Sequence, residues 1–354
     1  QLYRSKDSEG HITGGPSYYI THGLGSKSLA TIFSVLIIIA LGFIGNMVQA
    51  NSISTAFNSA FEIPTQVTGL FIILLAGFIF IGGIKRIAGF AEKMVPLMAG
   101  VYVLGAIYIM ICYASDILPT FKEIFVGAFN PSAATGGVIG ASVKEAIRYG
   151  VARGLFSNEA GMGSTPHAHA IARVKHPVEQ GLAAIIGLFI DTFIVLTAAA
   201  LVILVTGSLD GTKTGIELTQ AAFVKGMGTA GSGFVALCLF FAAFTTIIGW
   251  YFFAVQNVKY KVINIFSVIV LCFLMTGSFL KVNLVWELAD MFNGLMVIPN
   301  IIAVIGLYKL VVRALDDYEG KFLKGDRPLF GASEQLTGRM AKINTLHRRK
   351  KQRS

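Results

Sequence analysis

Residues 147–172, IRYGVARGLFSNEAGMGSTPHAHAIA, gather most of the groups that could do chemistry in an otherwise apolar part of the chain. Arg153, Asn158, Glu159, His167 and His169 lie there, with Arg173 just beyond, among glycines at 150, 154, 161 and 163 and a proline at 166. A continuous lipid-facing helix does not tolerate that density of charge and helix breakers. Non-helical backbone at membrane depth is acceptable only where protein surrounds it or it lines a wet cavity, so the segment reads as a broken helix interrupted between Ser157 and Ser164. The chemistry of such a break is non-covalent. Half-helix N–H groups favour a carboxylate, half-helix carbonyls favour an ammonium or sodium, and the pair is a common device for holding a small polar solute in mid-membrane. No HExxH or GxSxG pattern is present, so the chain does not read as an enzyme. His167 and His169, two residues apart, point to different sides of a helix, and further ligands for a metal are not evident.

The elements that must position this segment follow from composition. With 354 residues, 54% of them hydrophobic and only 14% charged, the chain is too apolar for a soluble domain and takes the lipid bilayer as its solvent. A formal net charge of +10 could suggest nucleic acid, but the basic residues lie between apolar runs and in a tail, as in Arg348, Arg349, Lys350, Lys351 and Arg353, rather than in one domain. Nucleic acid is therefore not an expected partner. Runs able to cross hydrocarbon fall at 29–52, 64–84, 95–115, 150–172, 178–206, 231–256, 261–280 and 285–312. None alternates with the period of barrel strands, so all eight are expected to be helices and the fold class is all-α, a polytopic membrane helix bundle.

Charge placement gives an orientation. With the basic tail inside, Arg4, Lys6, Lys27, Lys85, Arg86, Lys93, Arg173, Lys175, Lys259 and Lys261 are internal, against Lys122, Lys144, Arg148, Lys213, Lys225 and Lys281 outside. Ten against six favours both ends of the chain being cytoplasmic. The chain thus divides into a cytoplasmic N-terminal segment at 1–28, a transmembrane domain at 29–312 and a basic cytoplasmic tail at 313–354. The polar stretch before the first span, with its Gly-Gly-Pro, reads as no signal peptide, and a start at Gln1 without Met reads as a chain that begins inside a longer protein. The connection from Asp116 to Tyr149 should contain short amphipathic helices. Cys112, Cys238 and Cys272 lack CxxC spacing and are expected to be buried small hydrophobes.

The 147–172 segment closely resembles the signature of the alanine or glycine:cation symporter family. GGPSYYI at 14–20, GNMVQANSI at 45–53 and TTIIGWYFF at 245–253 resemble further family segments in the right order, so the resemblance runs from Gln1 to about Asp317. It implies a LeuT-like fold of two inverted five-helix repeats in the inner cell membrane of a prokaryote, with sodium as the coupling ion and no other cofactor. The implied activity is sodium-coupled symport of a small neutral amino acid, alanine or glycine, by alternating access. The chain opens where the family has passed its first two core helices, so the eight spans correspond to core helices three to ten. An inert fragment of such a symporter, or a proton-coupled amino-acid transporter, are the alternatives.

Within that frame Asn158 and Gly161-Met162-Gly163 read as the substrate clamp, with Phe156 and Ser157 bordering the pocket; the alternative is a glycine kink for close helix packing. Gly42, Gly45, Asn46 and Gln49 share a helix face, which makes Gln49 either a substrate contact or one end of an interhelical hydrogen bond. The resemblance implies that Thr245 and Thr246 coordinate sodium, whereas hydroxyls in apolar helices ordinarily bond the carbonyl one turn back. Trp250, one turn from Thr246, reads as a pocket wall or an interfacial anchor. Arg153 and Glu159 would not share a face of a straight helix; unwinding either joins them or frees each for another partner. Asp191 reads as a proton relay or as a group paired with a neighbouring helix. The family usually continues past Gly249-Trp250-Tyr251 with aromatics and then Gly-Glu; here Ala254, Val255 and Gln256 stand instead, without the acid.

Overall fold

The computed structural model describes residues 1–6, 10, 12–81, 83–129, 139–209, 211 and 213–323. Fourteen α-helices follow a two-stranded antiparallel ribbon, β1 (Ser5–Lys6) and β2 (Ile12–Thr13), among the described residues. They are α1 (Pro16–Tyr19), α2 (Lys27–Ile37), α3 (Asn46–Phe61), α4 (Thr65–Ile81), α5 (Gly83–Cys112), α6 (Ala114–Phe129) and α7 (Ile139–Asn158). After these come α8 (Pro166–Ile171), α9 (Pro177–Phe189), α10 (Thr197–Val205), α11 (Gly215–Met227), α12 (Ala230–Val255), α13 (Ile263–Phe279) and α14 (Val282–Leu323). Three π-helical stretches interrupt or extend them, at Ile20–Leu24, Ile38–Gly45 and Ile190–Leu196.

Among the described residues, six helical stretches are long and apolar enough to cross a membrane: Lys27–Phe61, Glu92–Cys112, Pro177–Val205, Ala230–Val255, Tyr260–Phe279 and Val282–Gly320. They correspond to six of the eight expected runs. Of the other two, 64–84 forms α4, an apolar helix of 17 residues, and 150–172 is interrupted. The connection after Asp116 is helical as α6, and α7 begins eleven residues before the expected run, at Ile139. Past Val312 the chain stays helical to Leu323; the basic run at 348–353 lies outside the described residues.

The chain forms two compact units. One comprises Gln1–Ile37, Glu159–Leu188 and the chain from Gly294; the other comprises Ile38–Asn158 and Phe189–Asn293. In the first, the β-ribbon and the GGPSYYI segment close on α8. A side chain at Gly14 would meet Ala170, and one at Gly15 would strike the His167 ring at 2.6 Å. Lower down, Gly23 abuts Leu307 and Gly306 abuts Leu24, which fastens the N-terminal segment to α14. His176 pairs with Asp317 at 3.3 Å and rests on the Tyr318 ring.

The second unit is built around α3, α12 and α13, held by small-residue contacts. A Cβ on Gly277 would lie 2.6 Å from the Met47 Cα, and one on Gly69 would lie 2.6 Å from the Ser278 Oγ. Such contacts give dispersion energy where lipid is as apolar as leucine and burial alone drives nothing together. Asn51 donates to the carbonyls of Gly277 and Leu280, both at 2.8 Å, and so satisfies groups that the end of α13 leaves without helical partners. A second cluster joins Ala106 and Ile109 of α5 to Val202, Phe223 and Val235.

Large apolar side chains such as Leu74, Phe78, Ile111, Ile185 and Phe193 face outward, as expected for surfaces wetted by lipid. The cysteine expectation fails for the same reason: Cys238 is buried, but Cys112 and Cys272 are exposed. In a membrane helix an apolar position can be satisfied by lipid instead of protein, so apolar context does not imply burial.

Gly277→Ala is expected to lower the Tm of the detergent-solubilised protein, because backbone atoms of Met47 cannot yield to a Cβ and overpacking costs about 1–3 kcal/mol. Gly249→Ala, where nothing lies within 4 Å, is expected to leave the Tm unchanged or higher. Equal Tm values for the two variants would contradict the assigned packing.

Candidate functional site

The predicted interruption is present. α7 ends at Asn158, Glu159 has φ 54°, Gly161 and Gly163 have φ 84° and 86°, and helix resumes at Pro166. The two glycines occupy left-handed backbone at no steric cost, whereas Glu159 bears strain that a non-glycine residue seldom accepts. Its carboxylate accepts the Ser164 hydroxyl across the turn, and its carbonyl accepts the Met162 N–H at 3.1 Å. Pro166 opens α8 with a preset φ and no N–H to leave unpaired.

Before the break, within the second unit, adjacent residues grip an adjacent pair on the π-helical stretch of the next span. The Ser157 hydroxyl donates to Asp191 Oδ2 at 3.0 Å, and the Thr192 hydroxyl donates to Asn158 Oδ1 at 2.6 Å. Asn158 Nδ2 donates back to the Gly154 carbonyl at 3.3 Å. Asp191 is therefore paired with a neighbouring helix, one of its two expected roles. Phe156 meets Trp250 edge-on at 5.2 Å and Trp286 at 4.8 Å.

Trp250 is 2% exposed and lies over Gly45, where a Cβ would stand 2.5 Å from the indole. Burial of that kind excludes the interfacial-anchor reading and explains the glycine face of the first span: Gly45 admits Trp250, and Gly42 admits Ala254. Gln49, one turn beyond Gly45, is 9% exposed and has no hydrogen-bond partner among the described residues. The hydroxyls of Thr245 and Thr246 both donate to the Ala242 carbonyl, at 2.8 and 3.1 Å, the ordinary bond for hydroxyls in an apolar helix. Their oxygen lone pairs are not consumed by that donation. Unwinding has freed Arg153 and Glu159 for separate partners: Arg153 pairs with Asp290 and covers the Trp286 ring at 4.1 Å.

After the break, within the first unit, Asn300 Nδ2 donates to the Gly161 carbonyl at 2.8 Å, and Asn300 Oδ1 accepts the Tyr19 hydroxyl. A Cβ at Gly163 would collide with Asn300, Phe33 and Pro16 at 2.8–2.9 Å. His167 is buried, stacked at 6.3 Å on Phe33, with Nδ1 2.8 Å from the Ser164 carbonyl, while His169 meets Gln180. The histidines thus serve different partners, as their spacing requires. Tyr19 and Asn300 were not singled out from sequence. The available signals were slight: Tyr19 lies within GGPSYYI, and Asn300 follows a proline inside an apolar helix.

Comparison with known proteins identifies the family. A family model described as the sodium:alanine symporter family matches residues 1–332. An uncharacterized transporter of Haemophilus influenzae is 40% identical over 323 residues, covering 89% of this chain and 71% of its own length. A probable sodium/glutamine symporter of Bacillus subtilis is 39% identical over 336 residues, covering 93% and 69%. A sodium/proton-dependent alanine carrier protein of a Bacillus species is 38% identical over 321 residues, covering 84% and 71%. A model match across nearly the whole chain, together with relatives at this level of identity, places the chain in the sodium:alanine symporter family.

Proposed function

We propose that the protein carries a small neutral amino acid, alanine or glycine, across the membrane together with sodium, by alternating access. The interruption between Asn158 and Pro166 carries the reading, because it places main-chain dipoles within an expected span where no regular helix would expose them. The C-terminal carbonyls of α7 suit an ammonium group, and N–H groups around Gly161 and Gly163 suit a carboxylate. Phe156, Ser157 and Asn158 border the interruption, Trp250 supplies an apolar wall against Phe156, and the amide of Gln49 offers both a donor and an acceptor. The oxygens of Thr245 and Thr246 are assigned to sodium, a hard cation that prefers oxygen ligands. Relatives described as a sodium/glutamine symporter and a sodium/proton-dependent alanine carrier support cation-coupled carriage of amino acids.

Counterflow in proteoliposomes tests this directly. Vesicles loaded with unlabelled alanine should accumulate labelled alanine from outside when sodium is present, and less when choline replaces it; excess glycine should compete and excess glutamine should not. Accumulation driven by a proton gradient without sodium would replace sodium with a proton, and no accumulation under either condition would end the symporter reading.

Thr245→Val and Thr246→Val are each expected to raise the sodium concentration giving half-maximal uptake about tenfold, the effect of losing about 1.4 kcal/mol of ion binding. A role confined to bonding Ala242 would change the Tm and leave the sodium dependence where it was. Asn300→Ala, which strips the Gly161 carbonyl of its donor, is expected to raise the KM for alanine about tenfold with the sodium dependence retained. An unchanged KM would remove the Gly161 segment from the substrate site.

A further inference from the structure

Successive turns of α14 bury Val285, Ala289 and Asn293, at 0%, 0% and 3% exposure. Val285 and Ala289 sit in one apolar core with Ile44, Met47 and Val48, and Phe156 packs against it. Asn293 follows Ala289 by one turn on the same helix face, and Met296 beyond it is again fully enclosed. Both Oδ1 and Nδ2 of Asn293 are shut away without a hydrogen-bond partner, and among the described residues no other side chain leaves two polar atoms in that state. Asn300, further along the same buried stripe, shows what an asparagine on this face ordinarily does: its amide donates to the Gly161 carbonyl and accepts the Tyr19 hydroxyl.

An amide stripped of water at both ends, with no bond in return, destabilises the conformation that encloses it. A leucine of similar volume would fill the place without that penalty. Such a group recovers its hydrogen bonds only in a conformation that admits a partner. The backbone on either side is incompletely bonded. Ile44 of the facing core lies in the π-helical stretch Ile38–Gly45, and Pro299, six residues past Asn293, has no N–H to give the Leu295 carbonyl. A Cβ at Gly294, the next position, would meet nothing within 4 Å, so no packing there has to be broken to uncover the amide. We propose that Asn293 is a positioning residue of the transport cycle: enclosed and unbonded in this conformation, it opens to water in another, and its forfeited hydrogen bonds keep the enclosed conformation from becoming too stable to leave. The inference rests on alternating access as the function and gives Asn293 no contact with solute or ion.

Asn293→Leu tests this in detergent and in proteoliposomes. The Tm is expected to rise, and the maximal rate of alanine counterflow to fall about tenfold, the factor that about 1.4 kcal/mol makes, while the KM for alanine does not rise. A raised KM would make Asn293 a contact of the solute, and a parental rate would remove its amide from the cycle; either result overturns the inference. Opening is measured separately with Asn293→Cys in a protein whose Cys112, Cys238 and Cys272 are replaced by alanine. Its modification by a small methanethiosulfonate reagent is expected to differ at least about tenfold in rate between sodium alone and sodium with alanine. No modification, or equal modification under the two conditions, would show an amide that stays shut or stays open and would overturn the inference. Ligand-dependent modification alongside a parent that shows no counterflow would leave the opening of Asn293 standing and overturn the carrier reading, so the two failures are separable.

Discussion

A main-chain carbonyl released from its helix within hydrocarbon must find a donor or water, since each one left bare costs several kcal/mol. Everything distinctive about this chain follows from how it meets that demand between Asn158 and Pro166. The Gly161 carbonyl takes its proton donor from Asn300, whose other amide atom is held by Tyr19, so one side chain on α14 and one near the N-terminus fix the break. Glycine at 163 lets Asn300, Phe33 and Pro16 close to contact distance, which any side chain there would prevent. The strain at Glu159 is tolerated because its carboxylate and carbonyl are both bonded within the same turn.

The same economy governs the aromatic wall. Trp250 reaches Gly45 only because that position has no side chain, and Phe156 then closes edge-on against the indole. Edge-to-face contact directs ring hydrogens at a ring face and gives about 0.5–1.5 kcal/mol beyond burial, with a defined orientation. Arg153, drawn to Asp290 and lying over Trp286, continues the arrangement, so the helix leading into the break is fixed by an ion pair, a cation–π contact and two aromatic contacts.

The interruption could be read from the sequence because glycine, proline and charge are local signals and their concentration within an apolar run has few explanations. The long apolar helices could be read because length and hydropathy alone decide them. Partners could not: Asp290 for Arg153 lies 137 residues away, and Asn300 for Gly161 lies 139 away, separations at which no spacing rule operates. Nor could the direction of Cys112 and Cys272, since lipid and protein interior favour the same residue types. The face containing Gly42, Gly45 and Gln49 was legible as a face, but only the structure divides it into two glycines that admit neighbouring side chains and one glutamine without a hydrogen-bond partner among the described residues.

The chain crosses between its two compact units four times, and the helical ladder is irregular at or beside three of the crossings. One falls at the break after Asn158, one where π-helix begins at Ile38, and one beside the π-helical stretch that begins at Ile190; the fourth, after Asn293, precedes Pro299 in α14. A π-turn widens the ladder and leaves its backbone less tightly bonded than an α-turn, while a proline removes one rung outright. The main chain is therefore least regularly bonded at those places, while the α-helices inside each unit keep their ladders.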